Sequence, residues 1–229
     1  MRQKTYLLFD AGGTLVWPNQ SFLIEQAEAN GLNFSHEQLY NAYYHLIYEL
    51  DDQTRQRGQM PEVWPNGYTW ALLELLGVDG QGGEAVIAAS QAFHREHNLW
   101  SFSFEWVSET LARLSEQGYR MSVISNADGR AEQILERLGL AGYFERIFDS
   151  AVVGIKKPDP AIFKLALREL NLSPAEAIYI GDVFYIDVVG ANRAGLEAVH
   201  LDPLGLYQGW PGTHLADVRQ LIDWLPEKN

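Results

Sequence analysis

Apolar residues recur along this chain at two different periods, and the change of period divides it in two. Residues 4–10 (KTYLLFD) are a short apolar run ended by an aspartate and then glycines. That pattern predicts a buried strand. From about residue 22 to residue 100 apolar positions return at helical spacing, in FLIEQAEANG and again in LYNAYYHLIYEL. Asn30-Gly31 closes the first helix, and Ser35 with Gln38 opens the second as a capping box. A third helix is predicted over residues 68–76, stopping at Gly77. A glycine-rich loop (DGQGG) follows it, and then a fourth helix over residues 84–97. The aromatics of this block, Trp17, Tyr44, Tyr48, Trp64, Tyr68, Trp70 and Trp100, read mostly as its own core or as its interface with the rest of the chain.

After residue 101 the pattern alternates. Helices are expected at 105–117, 129–138, 159–170, 185–194 and 214–224. Strands are expected at 119–125, 177–181 and 197–201, with a strand-like stretch in RIFDSAVV. Strand–helix alternation at this spacing indicates a parallel sheet covered on both faces. The expected organisation is an α/β core of residues 1–16 plus 101–229, with an all-helical insertion at 17–100.

Composition narrows the function. About half of the 229 residues are apolar, so a sizeable core is available, and the formal net charge is −13. An acidic chain is repelled by nucleic acid and by anionic membranes, so neither is an expected partner. A phosphorylated small molecule remains possible where a local cation or metal holds it. The absence of cysteine excludes disulfides, thiolate zinc sites and cysteine nucleophiles. No signal-peptide cleavage pattern and no stretch of eighteen apolar residues is seen, so the expectation is a cytoplasmic protein, monomeric or homodimeric.

In open parallel sheets ligands sit at the carboxyl ends of the strands, and polar residues gather there. Strand one ends in Asp10-Ala11-Gly12-Gly13-Thr14, and a second ends in Ser125-Asn126. Lys156-Lys157-Pro158 precedes a helix, and Gly181-Asp182 ends a third strand, with Asp187 five residues on. Asp10 has the chemistry to attack phosphorus and form an acyl-phosphate. Asp10 and Asp182 suit a shared Mg²⁺, with Asp187 orienting its waters. Ser125 can donate to a phosphoryl oxygen, and Lys157 can neutralise developing charge. Three converging acids would repel one another without a cation. Plainer roles stand beside these: Ser125 and Asn126 can cap a helix, and Asp187 suits the first turn of one.

These motifs, in this order, resemble those of the haloacid dehalogenase-like hydrolases. Asp10–Thr14 matches the first motif, Ser125 the second, Lys157-Pro158 the third, and Gly181-Asp182 with Asp187 the fourth. The resemblance implies a Rossmann-like core with a helical C1 cap. It also implies Asp10 and Lys157 as catalytic groups, and Ala11, Gly12, Ser125 and Asn126 as substrate contacts. The metal ligands it implies are Asp10, Asp182, Asp187 and the Gly12 carbonyl. One departure stands out. Family phosphatases carry a general acid two residues after the nucleophile, where this chain has Gly12, which has no side chain to donate a proton.

The expected activity is a Mg²⁺-dependent phosphatase of a small phosphorylated metabolite. The runner-up is a 2-haloacid dehalogenase, whose first motif Phe9–Leu15 also resembles, although Gly181-Asp182 is the metal-binding form. A catalytically weak binding protein is the third reading. A phosphonoacetaldehyde hydrolase would need a lysine from the insertion, and no lysine lies between Lys4 and Lys156.

Overall fold

The computed structural model describes residues 4–61, 67–78 and 80–226. The chain runs through β1 (Tyr6–Phe9) and β2 (Trp17–Pro18) into four helices: α1 (Gln20–Ala29), α2 (His36–Arg57), α3 (Tyr68–Leu75) and α4 (Gly80–His97). It returns through β3 (Trp100–Phe102) to α5 (Glu105–Glu116), β4 (Arg120–Ser125), α6 (Ala131–Arg137), β5 (Ile147–Asp149), α7 (Ser150–Val153) and α8 (Pro160–Glu169). Then come β6 (Ala177–Gly181), a π-helical turn (Phe184–Val188), α9 (Val189–Arg193), β7 (Glu197–Leu201), β8 (Thr213–Leu215) and α10 (Leu221–Trp224).

The chain separates into two compact units, Met1–Val16 with Ser103–Asn229, and Trp17–Phe102. The first holds a six-stranded sheet in the order β5-β4-β1-β6-β7-β8. Every pairing in it is parallel. β1 and β6 are apolar but for the hydroxyls of Tyr6 and Tyr179, and both are wholly buried, as strands covered on both faces must be. This is a Rossmann-like α/β fold. Because β1 lies between β4 and β6 in register, the residues following Phe9, Ser125 and Gly181 emerge at the same edge.

The second unit is helical and closes its own core around Leu23, Leu39, Leu46, Leu72, Val86 and Leu99. Ser35 and Gln38 form the capping box that the sequence predicts for α2. Trp17 donates to the Tyr44 hydroxyl at 3.1 Å, and Tyr43 and Tyr68 pack against Trp100. Tyr68 packs against that core, Trp17, Tyr43 and Tyr44 are buried, and Trp70 is exposed. Trp64 lies outside the described residues.

Four elements differ from the sequence expectation. α4 starts at Gly80, so most of DGQGG is helical rather than a loop. Gly83 is buried near Val78 and Leu73, and tertiary packing offsets the poor helix propensity of glycine. RIFDSAVV is a strand only at Ile147–Asp149, because the Asp149 carboxylate caps Ala151 N–H and starts α7. The helix expected at 185–194 opens with a π turn. The helix expected at 214–224 is replaced by β8, a 3₁₀ turn and the four-residue α10. There the open edge of β7 offers backbone partners to Thr213–Leu215. A short antiparallel pair, β2 with β3, was not anticipated. No helix among the described residues is long and apolar enough to cross a membrane.

Candidate active site

Asp10 follows the last residue of β1, and its backbone N–H continues the sheet by donating to Ile180 O at 2.8 Å. The chain then turns sharply. The amides of Leu15 and Val16 converge on Ala11 O at 2.8 and 2.9 Å, and Gly13 N–H donates to Val16 O at 2.8 Å. Gly13 sits at φ +73°, a conformation that a β-carbon disfavours. Ala11 and Gly12 thus lie in a tight loop beside the carboxylate.

Lys157 enters from the loop before α8, across a cis peptide bond to Pro158. Its main chain is clasped by Asn126: Lys157 N–H donates to Asn126 Oδ1 at 2.8 Å, and Asn126 Nδ2 donates to Lys157 O at 2.9 Å. Asn126 therefore uses its carbonyl and one amide N–H to hold the lysine loop. The Lys157 ammonium is buried, and each of its three N–H groups meets an acceptor. These are Asp10 Oδ1, Asp187 Oδ1 at 2.7 Å and the Tyr179 hydroxyl at 2.8 Å.

Asp182 follows β6, and Asp187 lies in the π turn after it. Asp187 is drawn in closely, because a β-carbon on Gly181 would meet Asp187 Cγ at 2.5 Å. Its Oδ2 accepts from Val183 N–H at 3.0 Å. Asp10, Asp182 and Asp187 are all buried, and one carboxylate oxygen from each lies within 4.8 Å of the others. Ser125 is buried at the end of β4. Asp10, Lys157, Asp182 and Asp187 therefore converge, while Ser125 and Asn126 sit on the neighbouring strand end and Ala11 and Gly12 in the β1 loop.

The electrostatics follow from burial. Burial pushes Asp10 up to about 7 against the pull of the Lys157 ammonium, and the Asp187 charge adds to the push. Burial alone would lower Lys157, but the carboxylates of Asp10 and Asp187 outweigh it, and the ammonium is held above its ordinary value. Three ionised carboxylates and one ammonium carry a net charge of −2. A divalent cation balances that charge, and an all-oxygen donor set is the one hard cations such as Mg²⁺ take. The residues present therefore fit the metal.

Two residues of this region escape a reading of the sequence. Tyr179 on β6 accepts from Lys157 and also touches Asp187 Oδ1 at 2.9 Å and Ile124 O at 3.2 Å. His200 on β7 reaches Asp182 O with Nε2 at 2.9 Å. The only signal was a buried-strand position with a polar tip, Tyr179 in AIYIG and His200 in EAVHL.

Comparison with known proteins identifies the family. The family described as haloacid dehalogenase-like hydrolase matches residues 5–195. Glyceraldehyde 3-phosphate phosphatase of Methanopyrus kandleri is 30% identical over 240 residues, covering 96% of this chain and 97% of that protein. Ribulose-1,5-bisphosphate 5-phosphatase of Halopiger xanaduensis is 31% identical over 212 residues, covering 87% and 85%. A crystal structure of a dehalogenase superposes over the whole of both chains with a TM-score of 0.66 at 22% identity, a likeness of fold.

Proposed function

This chain belongs to the haloacid dehalogenase-like hydrolases, and from that premise we propose that it is a Mg²⁺-dependent phosphatase of small phosphorylated metabolites acting through a phosphoryl group carried on Asp10. The observation that carries the reading is the buried cluster of Asp10, Asp182, Asp187 and Lys157 at the ends of β1 and β6. The names of the relatives above point to sugar phosphates as the first substrates to try.

In this reading Lys157 holds Oδ1 of Asp10, and Oδ2 makes the attack. A bond forms from Oδ2 to phosphorus, the phosphorus–oxygen ester bond breaks, and the alcohol oxygen leaves with the electron pair. Water then attacks the aspartyl phosphate, releasing inorganic phosphate and restoring the carboxylate. The amides of Ala11 and Gly12, the Ser125 hydroxyl and the second amide N–H of Asn126 bind phosphoryl oxygens. Asp10, Asp182, Asp187 and the Gly12 carbonyl would hold Mg²⁺, which when bound would supply positive charge to the transferring group.

Gly12 sets the limit of this chemistry. A positioned general acid typically contributes about 10²–10⁴-fold, and here the leaving oxygen takes its proton from another source. Esters with good leaving groups, aryl and acyl phosphates, lose least. The second step also lacks its usual base, so phosphate accumulates on Asp10.

The test is phosphate release from an aryl phosphate, acetyl phosphate and glyceraldehyde 3-phosphate, with Mg²⁺ and with chelator, beside Asp10→Asn. Release that needs Mg²⁺, vanishes in the variant and favours the aryl and acyl esters is expected. Release indifferent to chelator or to the variant would overturn the proposal. So would metal-free chloride release from 2-chloropropionate with no phosphatase activity.

A further inference from the structure

Behind the carboxylate cluster lies a pair of histidines in register on neighbouring strands, His200 on β7 and His214 on β8. Their Nδ1 atoms are 3.0 Å apart, and His200 Nε2 is 2.9 Å from Asp182 O. A carbonyl oxygen only accepts, so His200 must carry its hydrogen on Nε2 to make the second bond. His200 is buried, and surroundings of low polarity favour the uncharged imidazole, whose Nδ1 then bears a lone pair. The Nδ1–Nδ1 contact is then a hydrogen bond only when His214 donates from its own Nδ1. His214 Nε2 also faces a carbonyl, Trp210 O, but at 3.3 Å; a neutral ring has one N–H to give, and the shorter Nδ1 contact takes it.

The peptide that receives the bond is held at both ends. The carbonyl of Asp182 accepts from His200, and the N–H of the same peptide unit, on Val183, donates to Asp187 Oδ2 at 3.0 Å. A planar peptide has one orientation that satisfies both. That orientation directs the Asp182 side chain and sets the donor that fixes Asp187.

We propose that His214 and His200 are positioning residues: His214 fixes the tautomer of His200, and His200 clamps the Asp182–Val183 peptide that aims two of the three clustered carboxylates. Histidine tautomers set by a second hydrogen bond are a general means of orienting a metal site, and losing such outer partners costs roughly 10–100-fold in metal affinity or activity. The inference rests on the reading of Asp182 and Asp187 as metal-site groups for its effect on affinity, but the clamp itself is measurable without metal.

The experiment compares wild type, His214→Phe and His214→Gln. Phenylalanine keeps a ring beside Phe184 and Tyr207 but donates nothing, and glutamine restores an N–H. In metal-free protein, nitrogen NMR of the imidazoles is expected to show His200 protonated on Nε2 only. His214→Phe mixes that tautomer and speeds hydrogen exchange at the Val183 amide by about tenfold or more. Mg²⁺ affinity, read from the rise in melting temperature with added metal, falls roughly 10–100-fold. His214→Gln recovers most of both effects. His200 protonated on Nδ1 in the wild type would overturn the proposal, as would unchanged Val183 exchange in His214→Phe. A wild type that binds no Mg²⁺ would sink the metal reading instead, leaving the exchange and tautomer data to decide the clamp.

Discussion

Replacing Lys157 with methionine keeps most of the volume of the side chain and removes the ammonium that Asp10, Asp187 and Tyr179 share. Three buried carboxylates then face one another with no charge to offset them. Removing one partner of a buried ion pair costs about 3–5 kcal/mol. For a chain of this size that lowers Tm by roughly 6–20 °C. The loss has a pH dependence of fixed sign. With Lys157 present Asp10 is already raised to about 7, and without the lysine its pull is gone and Asp10 rises further. Above that value the folded state bears the full charge, while below it the folded state takes up a proton that the unfolded state does not. The deficit of the variant is therefore larger at about pH 8.5 than at about pH 6.

Metal acts in the opposite direction. The cluster of the variant carries −3 when ionised, against −2 in the wild type, so Mg²⁺ binds it more tightly and stabilises it more. A ligand at a hundredfold excess over its Kd contributes about 2.7 kcal/mol. Urea unfolding of both proteins, in chelator and in millimolar Mg²⁺ at the two pH values, measures all three effects. A metal-free loss under about 1 kcal/mol would refute the reasoning, as would equal stabilisation of the two proteins by Mg²⁺.

Tyr179→Phe removes the third acceptor of the Lys157 ammonium and should cost about 1–3 kcal/mol of stability; kcat should fall with KM nearly unchanged, and a fall in KM-dependent binding alone would contradict the geometry. Gly181→Ala places a β-carbon 2.5 Å from Asp187 Cγ, so it should cost about 1–3 kcal/mol and weaken Mg²⁺ binding, both read from melting curves with and without metal. Gly12→Asp restores a general acid where the backbone, unlike that of Gly13, is not left-handed. It should raise kcat on glyceraldehyde 3-phosphate by about 10²-fold or more, and raise aryl phosphate turnover too, because the restored base speeds hydrolysis of the aspartyl phosphate common to both; no gain on either would show that proton transfer does not limit turnover.

Much of this protein could be read directly from the order of its residues. The central strands β1 and β6 and the helical character of the insertion are signalled by local periodicity, because burying an apolar face needs a regular repeat whatever the partner is. Ser35 and Gln38 cap α2 through bonds made within a few residues, so the sequence specifies them too. The four motif positions Asp10, Lys157, Asp182 and Asp187 fall at strand and loop ends, where a parallel sheet brings them together.

What the sequence left open depends on partners distant in the chain. Whether 213–215 is helix or strand was decided by the free edge of β7, which exists only once the sheet is built. Asn126 has a helix-capping composition, yet its amide clasps Lys157, thirty-one residues on. Tyr179 and His200 look like lone polar residues in apolar strands until burial obliges their polar atoms to find partners, and those partners are the lysine and the peptide of the carboxylate cluster. Local pattern sets which segments are regular. Only the folded chain decides where each buried hydrogen bond ends, because an unsatisfied buried polar group is costly and its partner can come from any strand beside it.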